Sequence, residues 1–424
     1  MHILLLGSGG REHAFAHKLI QSKHCTQLYI APGNPGTASL GKNISVSIND
    51  FEALGQFVLQ NNVELVVVGP EAPLVNGIYD FFLNNDALKH IPVFGPSQIG
   101  AQLEGSKAFS KAFMLRNNIP TAAYAEFTTS TLDEGLTYIK NHTLPIVLKA
   151  DGLAAGKGVV ICSNITEAQV EFKEMLGGKF GNAGNKVVIE EFMDGIEFSV
   201  FVLTDGVDYK ILPTAKDYKR IGEGDTGLNT GGMGAVSPPP FVTNEIMQVV
   251  EQTIIKPTIQ GLQKENITYK GIVYIGLMYL KTGELKVVEY NCRMGDPETE
   301  VVFPRIESDL VDLILSVFNH QLSTVELKIS NKAATTIILA SGGYPENYEH
   351  GKLISDIEEV TDALVFHCGT KQNEQGALLT SGGRVLAVTA LHENWKTALS
   401  ISNQNAAKIQ FEGKYYRRDI GFDL

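Results

Sequence analysis

The sequence predicts a multidomain protein of mixed class, with an amino-terminal α/β unit built on a parallel sheet and α+β units after it. A chain of 424 residues is too long for one hydrophobic core, and roughly three domains are expected. Strand-like and helical segments alternate over residues 1–103, which is typical of a parallel sheet with right-handed crossovers. After residue 190 the alternation of apolar and polar side chains indicates antiparallel strands.

Composition and charge narrow the classes of function. Apolar residues make up 44% of the chain and charged residues 19%, as in ordinary globular proteins. The formal net charge of −12 argues against nucleic acid or an anionic membrane as a partner. The four cysteines lack paired or metal-ligand spacing, as expected in a reducing compartment. We find no signal peptide and no apolar run near the ~20 residues of a membrane span, so we expect a cytoplasmic protein.

In the amino-terminal unit, the strands end in loops rich in Gly and Pro: GSGGREH, APGNPGT and GPEAPL. Ligands of parallel sheets bind beyond such strand ends. The first loop looks like a dinucleotide-binding fingerprint, but Glu12 stands in place of the third glycine, and the second strand ends without an acid for the ribose. Gly10 and Arg11 instead begin a helix, where free amides and a guanidinium favour a phosphate group.

A glycine-rich loop joins two apolar strands in IVLKADGLAAGKGVVI, residues 146–161. Its spacing and the residue after Gly-Lys differ from those of a Walker A loop. Lys149 lies inside the first strand, where a buried ammonium group needs an anion. Gly156, Lys157 and Gly158 lie in the loop, whose amides can fold over phosphates. The alternative is an ordinary hairpin with a lysine that extends to solvent.

Two further segments indicate binding of a nucleotide and of an anion. KVVIEEFMDGIEFSV, residues 186–200, is a strand, a break and a second strand, and such an edge offers main-chain groups to an adenine ring. The carboxylate of Glu197 follows at a position that suits ribose hydroxyls, although many strand–turn–strand segments look alike. The glycine-rich stretch at 215–239 is long for a structureless loop, and its Lys and Arg residues near Asp217 fit an anion-binding loop.

VVEYNCRMGDPETE, residues 287–300, contains a candidate metal site. Glu289 and Asn291 are two positions apart on a predicted strand over residues 285–291, so their side chains project from the same face. A carboxylate and an amide oxygen suit magnesium that already carries nucleotide phosphates. The alternative is a strand that ends in an ordinary polar turn.

The order of these motifs resembles that of the ATP-grasp superfamily: a lysine strand, a glycine loop, an adenine-type strand and a metal strand. Over the whole chain, seven motifs in order resemble the glycinamide ribonucleotide synthetase family (phosphoribosylamine–glycine ligases): GGREHA, APGNPGT, GPEAPL, EGSKAF, KADGLAAGKGV, DTGLNTGGMGA and NCRMGDPETE. The similarity extends to RRDIGF near the carboxyl end. Met294 replaces the family's Phe and Leu228 its Pro, and neither change removes a charge.

The resemblance implies a reaction of ATP, glycine and 5-phosphoribosylamine that gives glycinamide ribonucleotide, ADP and phosphate through a glycyl phosphate intermediate, a step of de novo purine biosynthesis. It implies small-molecule substrates, Mg²⁺ or Mn²⁺, and a monomer without nucleic acid or membrane partners. Catalysis would rest on positioning and charge neutralisation. The alternatives are another ATP-grasp carboxylate–amine ligase or carboxylase of purine synthesis, and a non-catalytic nucleotide-binding module.

The resemblance also implies roles for individual residues. The expected catalytic residues are Arg293, Lys149 and Asp217. Those expected to bind ATP are Lys107, Lys149, Gly156, Lys157, Gly158, Glu190, Glu191, Phe192, Met193 and Glu197. Those expected to bind the other substrates are Gly10, Arg11, Glu71, Asn229, Gly231, Gly232, Asp296 and Pro297. The expected metal ligands are Glu289 and Asn291.

The same resemblance implies four structural parts. They are a pre-ATP-grasp α/β substrate domain at 1–103, a central ATP-grasp domain at 104–120 and 190–325, a lid domain at 121–189, and a small β-rich carboxyl-terminal domain at 326–424. ATP is expected to bind between the central domain and the lid.

Overall fold

The computed structural model describes residues 1–153 and 158–424, apart from the side chain of Asn182, and begins with the predicted parallel α/β unit. Its strands are β1 (His2–Gly7), β2 (Gln27–Pro32), β3 (Lys42–Asn43), β4 (Leu65–Val68) and β5 (Val93–Pro96). Its helices are α1 (Gly10–Leu19), α2 (Phe51–Gln60), α3 (Glu71–Val75), α4 (Ile78–Asn84) and α5 (Gln98–Gly105). The strands run parallel in the order β3–β2–β1–β4–β5.

The apolar run of β1 shows why this sheet forms. Ile3 and Leu5 pack into one core cluster, while Leu4 and Leu6 pack into another, and all four are fully buried. A strand that is covered on both faces requires such a continuous apolar run, as parallel sheets generally do. At its carboxyl end, β1 leads through a short loop into α1.

Helix α6 (Lys107–Arg116) leads to a second sheet, which corresponds to the predicted lid. Ser106 caps α6 by accepting a hydrogen bond from the Phe109 N–H at 3.1 Å. The elements of this unit are β6 (Tyr124–Thr128), α7 (Leu132–Lys140), β7 (Ile146–Ala150), β8 (Val159–Cys162), α8 (Ile165–Glu174) and β9 (Lys186–Glu191). The strands are antiparallel in the order β6–β9–β7–β8. Strand β9 extends past the predicted boundary at residue 189.

The central unit contains most of the long strands. Its strands are β10 (Gly195–Thr204), β11 (Tyr209–Ile211), β12 (Lys216–Asp217), β13 (Arg220–Gly222), β14 (Thr226–Asn229), β15 (Gly234–Ser237), β16 (Tyr269–Leu280) and β17 (Leu285–Asn291). Its helices are α9 (Asn244–Val250), α10 (Lys256–Lys264), α11 (Thr299–Val302) and α12 (Leu310–Phe318). Strand β16 pairs antiparallel with β10 and with β17, and β17 has the predicted bounds.

The central sheet continues into the amino-terminal sheet. The first residues of β16 pair antiparallel with β5, so that Tyr269 lies opposite Pro96 and Lys270 opposite Gly95. Tyr269 is fully buried, and its hydroxyl donates to the Ile272 carbonyl at 3.1 Å. Main-chain hydrogen bonds therefore fix the position of the amino-terminal unit relative to β17.

The carboxyl-terminal unit forms a third sheet. Its elements are β18 (Ala333–Ala340), β19 (Leu364–His367), β20 (Thr370–Gln372), β21 (Leu378–Thr380), β22 (Arg384–His392) and α13 (Trp395–Lys408). The sheet has the order β12–β15–β18–β22–β19, so two short strands from the 215–239 stretch belong to it. Within the described residues, every helix falls short of the length and apolar character that a bilayer crossing requires.

Candidate active site

A cavity of about 400 Å³, here called the central cavity, lies where β17, α6 and the lid strand β7 meet. The amino-terminal unit contributes side chains to its lining, and so does the carboxyl-terminal unit. It brings together many of the residues predicted from the sequence: Arg11, Glu71, Lys107, Lys149, Gly158, Glu190, Asp217, Gly231, Glu289, Asn291, Arg293 and Asp296.

Lys149 is held at the central cavity by a buried carboxylate. Strands β7 and β9 pair so that Val147 lies opposite Glu190, and the Lys149 Nζ is 2.9 Å from Glu190 Oε2. Lys111 of α6 approaches the same carboxylate, with 3.2 Å between its Nζ and Glu190 Oε1. Burial lowers the pKa of Lys111 to about 8, although Glu190 opposes the shift. Two lysines are thus fixed beside one carboxylate at the cavity wall.

Lys107 provides a third ammonium group at the start of α6. Its Nζ donates to the Gly152 carbonyl at 3.2 Å, at the edge of the glycine loop. Burial lowers the pKa of Lys107, and Lys149 acts in the same direction, while Glu289 opposes both. A polyanion placed here would relieve the repulsion between these lysines.

Glu289 and Asn291 line the central cavity together, as the two-residue spacing predicted. Between them, Tyr290 directs its hydroxyl into the core, where it lies 2.6 Å from the Thr258 hydroxyl. Burial would raise the pKa of Glu289, but Lys219 and other cations outweigh it, so the net pKa is lowered and the carboxylate is ionised. An ionised carboxylate beside an amide oxygen is a donor set that fits a hard divalent cation.

Arg293 is bound by two carboxylates from different helices of the first unit. Its Nε donates to Glu71 Oε2 at 3.3 Å, and its Nη2 donates to Glu104. Burial opposes the charge of the guanidinium, but these carboxylates outweigh it and raise the pKa of Arg293. Burial would likewise raise the pKa of Glu71, which Arg293 and Arg11 instead hold below its usual value. The arginine is therefore a fixed positive charge at the cavity.

A group of acids surrounds Lys219, which lines the central cavity and acts on the charge of Glu289. The Lys219 Nζ contacts Glu197 and lies 3.6 Å from Asp217 Oδ1. The Tyr274 hydroxyl donates to Glu298 Oε1 at 2.9 Å. Burial and then Asp217 raise the pKa of Glu298 to about 7. Glu298 can therefore exchange a proton near neutral pH.

A second cavity of about 590 Å³, here called the amino-terminal cavity, adjoins the first and is more open. Its lining includes Gly9 and Glu12 at the start of α1, Pro70 before α3, and two residues that it shares with the central cavity, Arg11 and Asp296. The Arg11 Nε donates to Glu12 Oε1 at 2.6 Å, which directs the guanidinium. Arg11 and Asp296 therefore stand between the two cavities.

Comparison with known proteins assigns the whole chain. Residues 1–104, 105–299 and 334–423 match the family models described as phosphoribosylglycinamide synthetase N domain, ATP-grasp (A) domain and C domain. The chain belongs to the phosphoribosylglycinamide synthetase family. The phosphoribosylamine–glycine ligase of Vibrio vulnificus is 47% identical over 427 residues, which is 100% of this chain and 98% of that protein. The enzyme of that name from a Nostoc strain is 47% identical and covered to 99%.

Solved structures support the same family assignment. The crystal structure of the phosphoribosylamine–glycine ligase from Thermotoga maritima has a TM-score of 0.84 and 34% identity, over 99% of this chain and 100% of that one. A biotin carboxylase domain from Hydrogenobacter thermophilus has a TM-score of 0.73 at 16% identity, so it shares the fold alone. The predicted family and fold class are confirmed, and ATP-grasp ligases use ATP and divalent metal ions.

Several predicted residues lie elsewhere than on the wall of the central cavity. Glu191 Oε1 pairs with Lys286 at 2.7 Å, the neighbouring Phe192 is 39% exposed, and Met193 lies in the break that follows. Asn229 ends β14, opposite Arg220 in the hairpin.

Glycines account for most of the remaining predicted residues. A Cβ on Gly10 would lie 2.3 Å from Glu300 Oε1, and one on Gly232 would lie 2.4 Å from Cδ of Pro297, so packing alone requires glycine at both positions. Gly232 also has a φ of +111°, a conformation that L side chains rarely adopt. The predictions for Gly156 and Lys157 concern positions outside the described residues.

Sequence reasoning missed several side chains of the central cavity: Glu104, Lys111, Lys219, Tyr274, Glu298 and Arg384. Two of them had a local signal. Lys111 follows Lys107 by four residues on a helix, which places both on one face. Lys219 follows Asp217 by two residues in extended chain, which has the same effect. The others reach the cavity through tertiary contacts that no local pattern records.

Proposed function

We propose that this protein ligates glycine to 5-phosphoribosylamine with ATP, giving glycinamide ribonucleotide, ADP and phosphate in de novo purine biosynthesis. One observation supports this most strongly: a cavity rich in fixed cations meets a second cavity at the start of α1, across Arg11 and Asp296. A two-substrate ligation needs such a pair of sites. One site accommodates the nucleotide and the acid, and the other accommodates the amine.

The reaction has two steps. An oxygen of the glycine carboxylate attacks the γ-phosphorus of ATP, the bond to the β-phosphate oxygen breaks, and glycyl phosphate and ADP result. The amine of phosphoribosylamine then attacks the acyl carbon, phosphate leaves, and the amine gives up a proton as the amide forms. No step requires a protein nucleophile, so the chain contributes orientation, charge and exclusion of water.

The nucleotide is proposed to bind between the lid and the central sheet. Lys107 and Lys149 would hold its phosphates, and the glycine loop with Gly156, Lys157 and Gly158 would cover them. The main chain of residues 190–193 would contact the adenine ring, and Glu197 the ribose. The pair that Lys149 forms with Glu190 supports its part in this assignment, because the ammonium is already aligned before a phosphate arrives.

Glu289 and Asn291 are proposed to bind Mg²⁺ or Mn²⁺. The ionised, half-buried carboxylate supports this assignment, and so do the cations beside it, which match the phosphates that such a metal would carry. A bound divalent cation would neutralise charge on the phosphates during phosphoryl transfer.

The other substrates are proposed to occupy the rest of the two cavities. Arg293 would face a substrate carboxylate or the transferring phosphoryl group, and Asp217 would lie near glycine. The residues around the glycine or the sugar would be Asn229, Gly231, Gly232, Asp296 and Pro297. Gly10, Arg11 and Glu71 would form the phosphoribosyl end, where the positive end of the α1 dipole and the Arg11 guanidinium favour a phosphate.

The proposed function is tested by ADP release with each co-substrate present or omitted. We expect full release only when glycine and phosphoribosylamine are both present. Equal release with formate or bicarbonate in place of glycine would instead identify another ATP-grasp ligase or carboxylase. Binding of ATP with no ADP release under any condition would identify a non-catalytic module.

The cellular and structural setting is proposed on sequence grounds. We propose that the protein acts in the cytoplasm as a monomer on small molecules, and that the four predicted parts at 1–103, 104–120 with 190–325, 121–189 and 326–424 are its domains. Size-exclusion chromatography with light scattering tests the oligomeric state, and a dimer at micromolar concentration would contradict it.

A further inference from the structure

Two side chains of the carboxyl-terminal domain contact the Gly231–Gly232 loop at the wall of the central cavity. Arg384 is the first residue of β22 and lines the cavity itself. Tyr344 lies in the loop after β18, and its hydroxyl accepts a hydrogen bond from the Gly231 N–H at 3.0 Å. This domain carries no residue that the sequence assigned to the site, so these contacts give it a place there.

The guanidinium of Arg384 contacts two loops, the Gly231–Gly232 loop and the loop that contains Asp296. Its Nη1 donates to the carbonyl oxygens of Gly231 at 2.6 Å and of Asp296 at 2.7 Å, and it is 3.4 Å from that of Gly232. Its Nη2 lies 2.7 Å from the carboxylate oxygen Oδ1 of Asp296. A Cβ on Gly231 would be 2.9 Å from the Arg384 Cζ, so the loop lies flat against the guanidinium only because it is glycine.

Asp296 is the residue through which this arrangement reaches the substrates. It lines both cavities, and its second oxygen, Oδ2, accepts from the Arg11 N–H at the start of α1 at 3.5 Å. One carboxylate therefore connects the carboxyl-terminal domain, the central domain and the first turn of α1. Of the two contacts, the ion pair with Arg384 is the shorter, at 2.7 Å against 3.5 Å for the contact with the Arg11 N–H.

We propose that Arg384 is a positioning residue for the acyl-transfer step, holding Asp296 and the Gly231–Gly232 loop at the passage between the two cavities. The inference rests on the proposed function, in which the amine must cross this passage to reach the acyl phosphate. Loss of the guanidinium leaves the phosphate-binding lysines in place, because Lys111 and Lys149 contact Glu190 of β9 and Lys107 contacts the carbonyl of Gly152 after β7. The defect is therefore confined to the meeting of the two substrates.

The experiment compares two nucleophiles in the full-length protein. Hydroxylamine attacks an acyl phosphate, releases phosphate and gives the hydroxamate without using the amine site, so it reports glycyl phosphate formation alone. For Arg384→Gln we expect kcat/KM for phosphoribosylamine to fall roughly 10²-fold, as a misplacement of about 1 Å can cause. Hydroxamate formation from ATP and glycine is expected to stay within about threefold of wild type, a loss under 1 kcal/mol.

Graded and matched variants separate positioning from folding. Arg384→Lys keeps the charge but not the planar fork, so it should recover part of the loss. Tyr344→Phe, which removes one hydrogen bond to the same loop, should give a smaller loss of the same kind. Arg417→Gln is the control, because this buried arginine of the same domain is bound by Asp225 and Asp419 away from both cavities. Its ratio of the two activities should equal that of wild type.

The outcomes are distinct. A wild type that releases no ADP with both substrates refutes the proposed function and not this inference in particular. An active wild type with Arg384→Gln unchanged for phosphoribosylamine refutes the positioning role. Equal loss of hydroxamate formation and of phosphoribosylamine ligation in Arg384→Gln also refutes it, because the residue would then support the site as a whole.

Discussion

The two adjoining cavities differ in how they carry charge. In the central cavity, side chains are matched to side chains: Lys149 to Glu190, and Arg293 to Glu104. In the amino-terminal cavity, the lining consists largely of glycine, serine and proline residues, together with Arg11. The first cavity holds its charges in place before a ligand binds. The second has one such pair, Arg11 with Glu12, and otherwise offers the main chain at the amino terminus of α1.

This difference predicts where substitutions act. A cation that a buried carboxylate already holds in position needs little reorganisation during the reaction, so its removal should lower turnover. The start of α1 with its one guanidinium is expected to bind the substrate equally well in the ground state and in the transition state. A change there should therefore raise KM. The following predictions test this contrast, beginning with the largest effect.

Lys149→Met should show the largest effect. The substitution keeps the stem and deletes the ammonium, and Glu190 keeps Lys111 as a counter-ion, so the fold should persist. We expect kcat/KM for ATP to fall roughly 10³-fold, about 4 kcal/mol. Steady-state ADP release measures this. Lys281→Met is the control, because that lysine is 76% exposed and pairs with Asp194 at the surface. Activity of Lys149→Met within about threefold of wild type would contradict a role at the phosphates.

Glu289→Gln should show the next largest effect. The change is nearly isosteric and removes the negative charge that attracts a divalent cation. We expect turnover to fall roughly 10²-fold, about 2.7 kcal/mol, with partial recovery at high Mg²⁺ or Mn²⁺. Titration of activity with each metal is the measurement, and Glu284→Gln in the exposed turn before β17 is the control. An unchanged metal dependence would show that the residue is only the polar end of a strand.

Glu298→Gln should change how stability depends on pH. Burial and Asp217 raise the pKa of Glu298 from 4.5 to about 7, so the folded protein binds this proton more tightly than the unfolded chain. The ionised carboxylate therefore costs stability: the cost is absent below about pH 4.5, grows between pH 4.5 and 7, and is constant above pH 7. The stability of the variant relative to wild type should therefore increase by roughly 2–3 kcal/mol between pH 5 and pH 8.

Urea unfolding of wild type and Glu298→Gln at a series of pH values measures that difference. Comparison of the two proteins cancels the titration of histidines and of the other carboxylates. A difference that is constant across the pH range would show that Glu298 has no raised pKa.

Arg11→Ala should show the smallest effect and the clearest contrast. The dipole of α1 remains, so the amino-terminal cavity keeps part of its affinity for a phosphate. We expect KM for phosphoribosylamine to rise roughly tenfold, about 1.4 kcal/mol, with little change in KM for ATP. Initial rates with each substrate varied in turn provide the test. An equal rise in both KM values would mean that the two cavities are not separate sites.

The periodic parts of this molecule were predictable from sequence. The parallel unit follows from alternating segments, and the shared face of Glu289 and Asn291 follows from the two-residue period of a strand. The counter-ion role of Glu190 did not follow, because it requires knowing that β9 lies beside β7 and that α6 brings Lys111 to the same point. Arg384 had no local signal, since its contacts are with residues far away in the chain.

The pairing of β16 with β5 has a consequence for how this protein can be divided. The family models separate residues 1–104 from 105–299, yet the two main-chain pairs at Tyr269–Pro96 and Lys270–Gly95 cross that boundary. A chain cut there would leave an unpaired strand edge on each piece and would expose the buried Tyr269 ring, and such edges associate with other chains. The first sequence domain is therefore smaller than the part of the chain that folds together, which includes the start of β16. Moving the first domain into another ATP-grasp enzyme would require the first residues of β16 to be moved with it.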